Sequence, residues 1–301
     1  MPPGNLSAKS NTIHARSQSA ANRQPHISLR LCYSLWEMKR AIPRSELRIV
    51  SLAPSATSIL CGVGAKKYLV GVTKWCADVA PVNELPRLGD CWHMDSVDEI
   101  LKLKPSLVIG SVPYNQAIVA KLLERPLNFL AMNPRSLADI ENDIRILGSI
   151  ANRLTQAERL MRKMRQEFSA ITRECGALKQ KLAVYCEAWP NPRISSPPWV
   201  QEIVSICGGE MVLPPGKKVS DEQVARAMPE LIVLAWAATG DQANIEKAYT
   251  VAAWMDVPAI RNKRVYVVRD ELLNTPGPPL LAGARQLLRI FQRAGTRGTK
   301  E

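Results

Sequence analysis

The sequence predicts an α/β protein of two three-layer lobes with mainly parallel sheets, joined by a long backbone α-helix. Three observations carry this. From Arg48 short runs of β-branched residues alternate with helical patterns, the grammar of a parallel sheet covered by helices. From Leu137 to Leu178 apolar residues recur at three- and four-residue spacing with no strand signal between them. At Lys181 the alternation resumes. The expected organisation is a basic, disordered tail (1–47), an N-terminal lobe (48–135), a connecting helix (136–179), a C-terminal lobe (180–295) and a short tail (296–301).

The elements follow in order. Arg48–Ala53 reads as a strand, stopped by Pro54, and Ser55–Val63 as a helix ended by Gly64. Leu69–Thr73 is the second strand. Ser96–Leu103 is a helix whose Ser96 and Glu99 have the spacing of a capping box, and Pro105 delivers the chain into the strand Leu107–Gly110. A helix (Asn115–Glu124) and a strand (Leu127–Ala131) complete the lobe.

In the connector, Ser136 with Asp139 and Thr155 with Glu158 are two capping signals, so the segment is either one bent helix or two abutting ones. Its roughly 40 residues would span about 60 Å if continuous. It holds no proline and only Gly148 and Gly176, which predicts a stiff link and a small lobe rotation on ligand binding. The second lobe reads as strand Lys181–Glu187, helix Trp199–Cys207 with a Gly208-Gly209 stop, helix Asp221–Ala227, strands Leu231–Ala235 and Arg264–Val268, and helix Leu280–Arg293.

Composition narrows the function. Hydrophobic residues are 46% and charged residues 22%, ordinary for a globular chain. No run of eighteen apolar residues exists, so no membrane insertion is expected. Of the net charge of +13, +6 lies in residues 1–48, where eight basic side chains face only Glu37 and Glu46. No nucleic-acid-binding motif accompanies it, and no nucleic-acid partner is expected. Seven cysteines, without a CxxC, do not form a disulfide framework. The tail lacks a secretory signal: Ile27–Trp36 is interrupted by Arg30 and has no cleavage site after it.

His14 and His26 fall in the tail, which leaves His93 alone in the folded part, too few for a multi-histidine metal site. His93 reads first as a loop or surface residue, with ligand contact the lesser alternative. There is no GxSxG elbow, phosphate loop or GxGxxG fingerprint. No enzyme is expected; on an enzyme reading Glu187 and Asp90 are the candidate acid or base. The unusual feature is tryptophan, seven against three phenylalanines. Trp75, Trp189 and Trp236 follow predicted strands and Trp92 lies in a loop, where in α/β folds they line a ligand crevice.

Several blocks resemble one family. RIVSLAPSATSILCGVGA (48–65), LVGVTKWCAD (69–78), LPRLGD (85–90), SVDEILKLKPSLVIGS (96–111), WVQEIVSICGGE (199–210), SDEQVARAMPELIVLA (220–235) and NTPGPPLLAGARQL (274–287) are similar, in this order, to the cobalamin-binding branch of the helical-backbone periplasmic binding proteins that serve ABC importers. The resemblance implies a monomeric binding protein that holds cobalamin or a related corrinoid between its lobes by aromatic contact, with no protein ligand to cobalt and no other cofactor. A ferric siderophore or heme is the alternative ligand. It implies Trp75, Trp92, Glu187, Trp189, Trp199, Trp236 and Asn274 at the ligand, and Glu84 and Glu202 as acids that dock an ABC permease. It implies a periplasmic location as well, whereas a tail without a visible signal pattern fits either a cytoplasmic location or a translated start that differs from the true one.

Overall fold

The computed structural model describes residues 47–94, 96–176, 181–240 and 242–296. The predicted tails, except Leu47 and Thr296, lie outside the described residues.

Five strands form the first sheet: β1 (Ile49–Ser51), β2 (Leu69–Thr73), β3 (Arg87–Leu88), β4 (Leu107–Ser111) and β5 (Phe129–Met132). Their order is β3-β2-β1-β4-β5. Every neighbouring pair is parallel, so all carboxyl ends share one edge. The winding direction reverses between β1 and β4, the switch point beyond which such sheets leave a crevice. β1 is buried throughout, as the unbroken apolar start of RIVSLA requires. Pro54 then opens α1 (Pro54–Gly62) at a position whose N–H would have no helical partner. Gly64, at φ 72°, closes it, with Ala65 N–H bonded to the Leu60 carbonyl at 2.7 Å and Gly64 N–H to Cys61 at 3.0 Å, a Schellman pair.

α2 (Asp98–Lys102) is shorter than expected. The Ser96 hydroxyl accepts from Asp98 N–H at 3.1 Å, a local turn, and no capping box forms with Glu99. α3 (Gln116–Leu123) is capped by Asn115.

The connector is two helices, α4 (Leu137–Ile150) and α5 (Leu154–Cys175). Ser136 caps α4 as its sequence indicates, accepting from Asp139 N–H at 3.1 Å. The break needs no proline, and its left-handed position is not a glycine. Asn152 takes φ 50°, while Arg153 N–H reaches the Gly148 carbonyl at 2.6 Å and Asn152 N–H that of Ser149 at 3.0 Å, a second Schellman pair. Arg153 occupies the N-cap, so Thr155 falls inside the first turn of α5 and its predicted capping box is absent. The two helices fold back on each other, as ion pairs Glu141–Arg165 and Arg145–Glu158 show. The single 60 Å rod is therefore replaced by a hairpin whose longer arm, α5, has 22 residues and spans about 33 Å.

Gly148 permits this approach, because a Cβ built there would lie 2.5 Å from the Ala157 Cβ. Gly148→Val is expected to lower stability by about 1–3 kcal/mol by overpacking. Urea unfolding measures it, and an unchanged midpoint would refute the close α4–α5 packing.

The second sheet is centred on β6 (Leu182–Pro190). One side pairs in parallel with β9 (Leu231–Leu234), which pairs in parallel with β10 (Val265–Val267). Along the other side lie β8 (Gly209–Met211), parallel, and β7 (Arg193–Ser195), antiparallel. Gly208, at φ 85°, ends α6 (Pro198–Ile206), but Gly209 is a strand residue and not part of a stop. α7 (Asp221–Ala227) carries the capping box Ser220–Gln223. The short helices α8 (Glu246–Tyr249), α9 (Pro258–Arg261) and α10 (Asp270–Leu273) precede α11 (Leu280–Thr296). One apolar core takes residues from both sheets and from α4, α5, α6 and α11, among them Ile49, Ile144, Met164, Val184, Ile203 and Phe291. No helix among the described residues is long and apolar enough to cross a membrane.

Candidate functional site

At the carboxyl edge of the first sheet, residues 89–94 form a tight loop after β3. Asp90 accepts the Trp92 and His93 N–H groups on one carboxylate oxygen at 2.8 and 2.7 Å, and its own N–H meets the His93 carbonyl at 2.8 Å. Gly89 is required, since a Cβ there would sit 2.6 Å from the His93 carbonyl oxygen. Cys91 turns inward against Gly110 of β4, and its carbonyl accepts from Asn115 N–H at 2.9 Å. The loop thus carries the chain from the end of β3 back to β4 and the start of α3. Trp92, 49% exposed, and His93 stand outward with rings edge to face, 6.3 Å apart. Trp75, half-buried in the turn after β2, lies under the Lys74 ammonium at 4.4 Å.

At the corresponding edge of the second sheet, Glu187 is fully buried. Its carboxylate accepts from Tyr185 Oη and Trp236 Nε1, both at 2.8 Å, and from Arg193 at 3.0 and 3.1 Å. Arg193 also pairs with Asp221 and stacks 4.2 Å over the Trp254 ring. Burial pushes the Glu187 carboxyl above the usual range, opposed by Arg193 and these hydrogen bonds. Glu187 is accordingly an internal anchor and not a surface acid. With Asp90 committed to its loop, both acids named on the enzyme reading serve as structural acceptors.

Trp236 and Trp199 are packed inside, 4% and 2% exposed, with Trp199 Nε1 donating to the Leu273 carbonyl at 2.9 Å. Their indoles are not presented to a ligand in this structure. Trp189 lies within β6, which runs three residues beyond its predicted end, and not in a loop after it. It is 42% exposed and its Nε1 donates to the Asn191 carbonyl at 2.8 Å. Asn274 donates to the Ala235 carbonyl at 2.7 Å, next to Trp236, and its Oδ1 is buried without a protein partner. The hydroxyls of Ser55 in α1, Ser111 at the end of β4 and Ser196 after β7 share that state.

Glu84 is an exposed acid paired with Lys66 at 2.9 Å, which draws its carboxyl below the usual range. Glu202 accepts the Leu137 N–H at 2.9 Å and so caps α4 from α6. Sequence reasoning missed Tyr185 and Arg193 as partners of Glu187, and Asp221 and Trp254 as partners of Arg193. A charged residue ending an apolar strand was the one available sign. No group of three or more His, Cys, Asp or Glu side chains among the described residues is placed to hold a metal ion. A groove of about 350 Å³, lined by Leu137, Met164, Phe168 and Ile206, lies on the α4–α5 hairpin, away from the strand ends.

The sequence pattern of the family described as periplasmic binding protein matches residues 49–272, from β1 through α10. The chain belongs to the periplasmic binding protein family. Its relatives include the vitamin B12-binding protein of Pectobacterium atrosepticum, 27% identical over 264 residues that cover 82% of this chain and 88% of that one. A substrate-binding lipoprotein of an ABC transporter from Bacillus subtilis is 23% identical and covers 82% and 80%. Among solved structures, the periplasmic heme-binding protein of Roseiflexus sp. RS-1 superposes with a TM-score of 0.70 at 22% identity, covering 83% of this chain and 99% of that one. The periplasmic vitamin B12 binding protein of Vibrio cholerae gives 0.66 at 24%, covering 82% and 97%. These two likenesses establish the fold of this family member, and the family resemblance read from the sequence blocks is borne out.

Proposed function

We propose that the protein binds cobalamin or a related corrinoid between the carboxyl edges of its two sheets and delivers it to an ABC permease, with no chemistry of its own. The observation that carries this reading is the set of exposed or half-exposed indoles Trp75, Trp92 and Trp189, which decorate the strand ends of both sheets. Each aromatic contact contributes about 0.5–1.5 kcal/mol beyond its buried area, so several suit a large, partly apolar macrocycle. The relatives named for vitamin B12 binding, which extend over most of both chains, support the choice of ligand. Asn274, with an unpaired acceptor beside Ala235, suits an amide N–H at the ligand's periphery.

Titration with cobalamin is expected to quench tryptophan fluorescence saturably, at one ligand per chain. Heme and a ferric siderophore run in parallel are expected to do so weakly or not at all. Saturable quenching by heme alone would replace the corrinoid by the alternative ligand.

A further inference from the structure

The acids of α5 all turn to neighbouring helices. Glu158 pairs with Arg145 of α4, and Glu167 and Glu174 pair with Arg285 of α11. This leaves the outer side of α5 basic. Arg159, Arg162, Lys163 and Arg173 stand on it, exposed and at helical spacing, and pair with no acid among the described residues. Between Arg145 and Lys163 the chain has five basic residues, and Glu158 is its sole acid. Beside this ridge, at the α4–α5 turn, Ile146, Ile150 and Leu154 are 46%, 37% and 47% exposed. Exposed Leu123, Met228 and Met255 are isolated along the chain, a normal surface feature, whereas three aliphatic side chains at one turn mark a contact.

We propose that the α4–α5 hairpin is a docking surface for an anionic lipid bilayer, on which it lies flat. The four basic side chains of α5 meet headgroup phosphates, and Ile146, Ile150 and Leu154 enter the boundary between headgroups and acyl chains. A basic helix face bordered by aliphatic side chains is what such an interface holds, by charge and by apolar burial together. The charge also decides against the other occupants. A second copy would bring two uncompensated basic ridges face to face. Nucleic acid would take the ridge but leave the three aliphatic side chains in water. The contact is peripheral, since no helix among the described residues can cross the bilayer. It also leaves the ligand edge clear. α4 begins at Leu137, just after the carboxyl end of β5, and its 14 residues carry the turn about 20 Å from that edge. The proposal therefore does not depend on which ligand the crevice takes.

The test is co-sedimentation of the full-length chain with vesicles of phosphatidylcholine alone and of phosphatidylcholine mixed with phosphatidylglycerol. Partition onto the mixed vesicles is expected to be about tenfold stronger or more, and to weaken as salt screens the charges. Residues 1–48 are basic as well, so the deciding comparison is Arg159→Gln/Arg162→Gln/Lys163→Gln/Arg173→Gln, which keeps that segment whole. This variant is expected to lose about tenfold or more of the partition. Ile146→Ser/Ile150→Ser/Leu154→Ser, at unchanged charge, is expected to lose about threefold or more. All seven positions are exposed, and the melting temperature reports whether each variant is folded. Equal partition of the wild type onto both vesicles overturns the proposal. So does a glutamine variant that binds as the wild type does, which would assign the attraction to residues 1–48. A serine variant unchanged on vesicles, with duplex DNA held more tightly than lipid, would give the ridge to nucleic acid instead.

Discussion

Replacing Glu187 with alanine is expected to destabilise the protein by about 3–5 kcal/mol, and so to lower the melting temperature on the order of 10 °C. The carboxylate is the common acceptor for Tyr185, Arg193 and Trp236, and all three donors are mostly or wholly buried. Its removal leaves a guanidinium only 16% exposed with Asp221 as its remaining carboxylate, and strands a hydroxyl and an indole N–H. Glu187→Gln keeps the shape and one acceptor but loses the charge, so its cost falls between those of the wild type and the alanine variant. Glu187→Ala/Arg193→Ala removes both buried charges and is expected to recover part of the loss, which a double-mutant cycle reads directly. If Glu187→Ala melts within about 2 °C of wild type, where 1 kcal/mol would already show, the cluster does not anchor the second sheet.

This cluster also marks where sequence reading stops. The strand and helix grammar is local, and β1, α1, β2, β4 and α11 stand where apolar runs, Pro54 and Gly64 place them. β3 and β7 are two and three residues long and lack an apolar run, so their pairing edge was set by tertiary contacts no local pattern encodes. The capping signals of the connector left one bent helix or two abutting ones open, and the structure has the second, α4 and α5. The connector's apolar repeat continues across Ala151–Arg153, and the reversal depends on Asn152 adopting the left-handed conformation and on the small Gly148 beside Ala157. The rigid-rod argument looked for proline and glycine pairs, and an asparagine did the work of the glycine.

The tryptophans show the same limit at the site. Position after a strand for Trp75, Trp189 and Trp236, and in a loop for Trp92, grouped the four as cleft residues, but position does not reveal which side of the strand end an indole takes. Trp236 turns in because Glu187 offers its Nε1 an acceptor 49 residues away in sequence. Trp189 turns out because the register shift between Glu187 and Trp189 carries it past the buried face of β6.

That division yields the second large effect. Trp75→Ala and Trp189→Ala are each expected to weaken cobalamin binding by about 1–4 kcal/mol, from about fivefold to nearly a thousandfold, with the melting temperature little changed. The reason is that both rings hold exposed area in the free protein. Trp75 has a cation over one face and Trp189 makes one hydrogen bond to its own hairpin, so neither truncation opens a core cavity. Trp199→Ala and Trp236→Ala are expected to behave oppositely, costing about 3–5 kcal/mol of stability because each empties a packed site and leaves a carbonyl or carboxylate short of its donor. Calorimetric titration with cobalamin and thermal melts on the four variants separate the pairs. A collapse of the melting temperature in Trp75→Ala or Trp189→Ala would make that indole a core residue. Unchanged cobalamin affinity in both would remove the strand-end tryptophans from the ligand, and with them the observation that the corrinoid reading stands on.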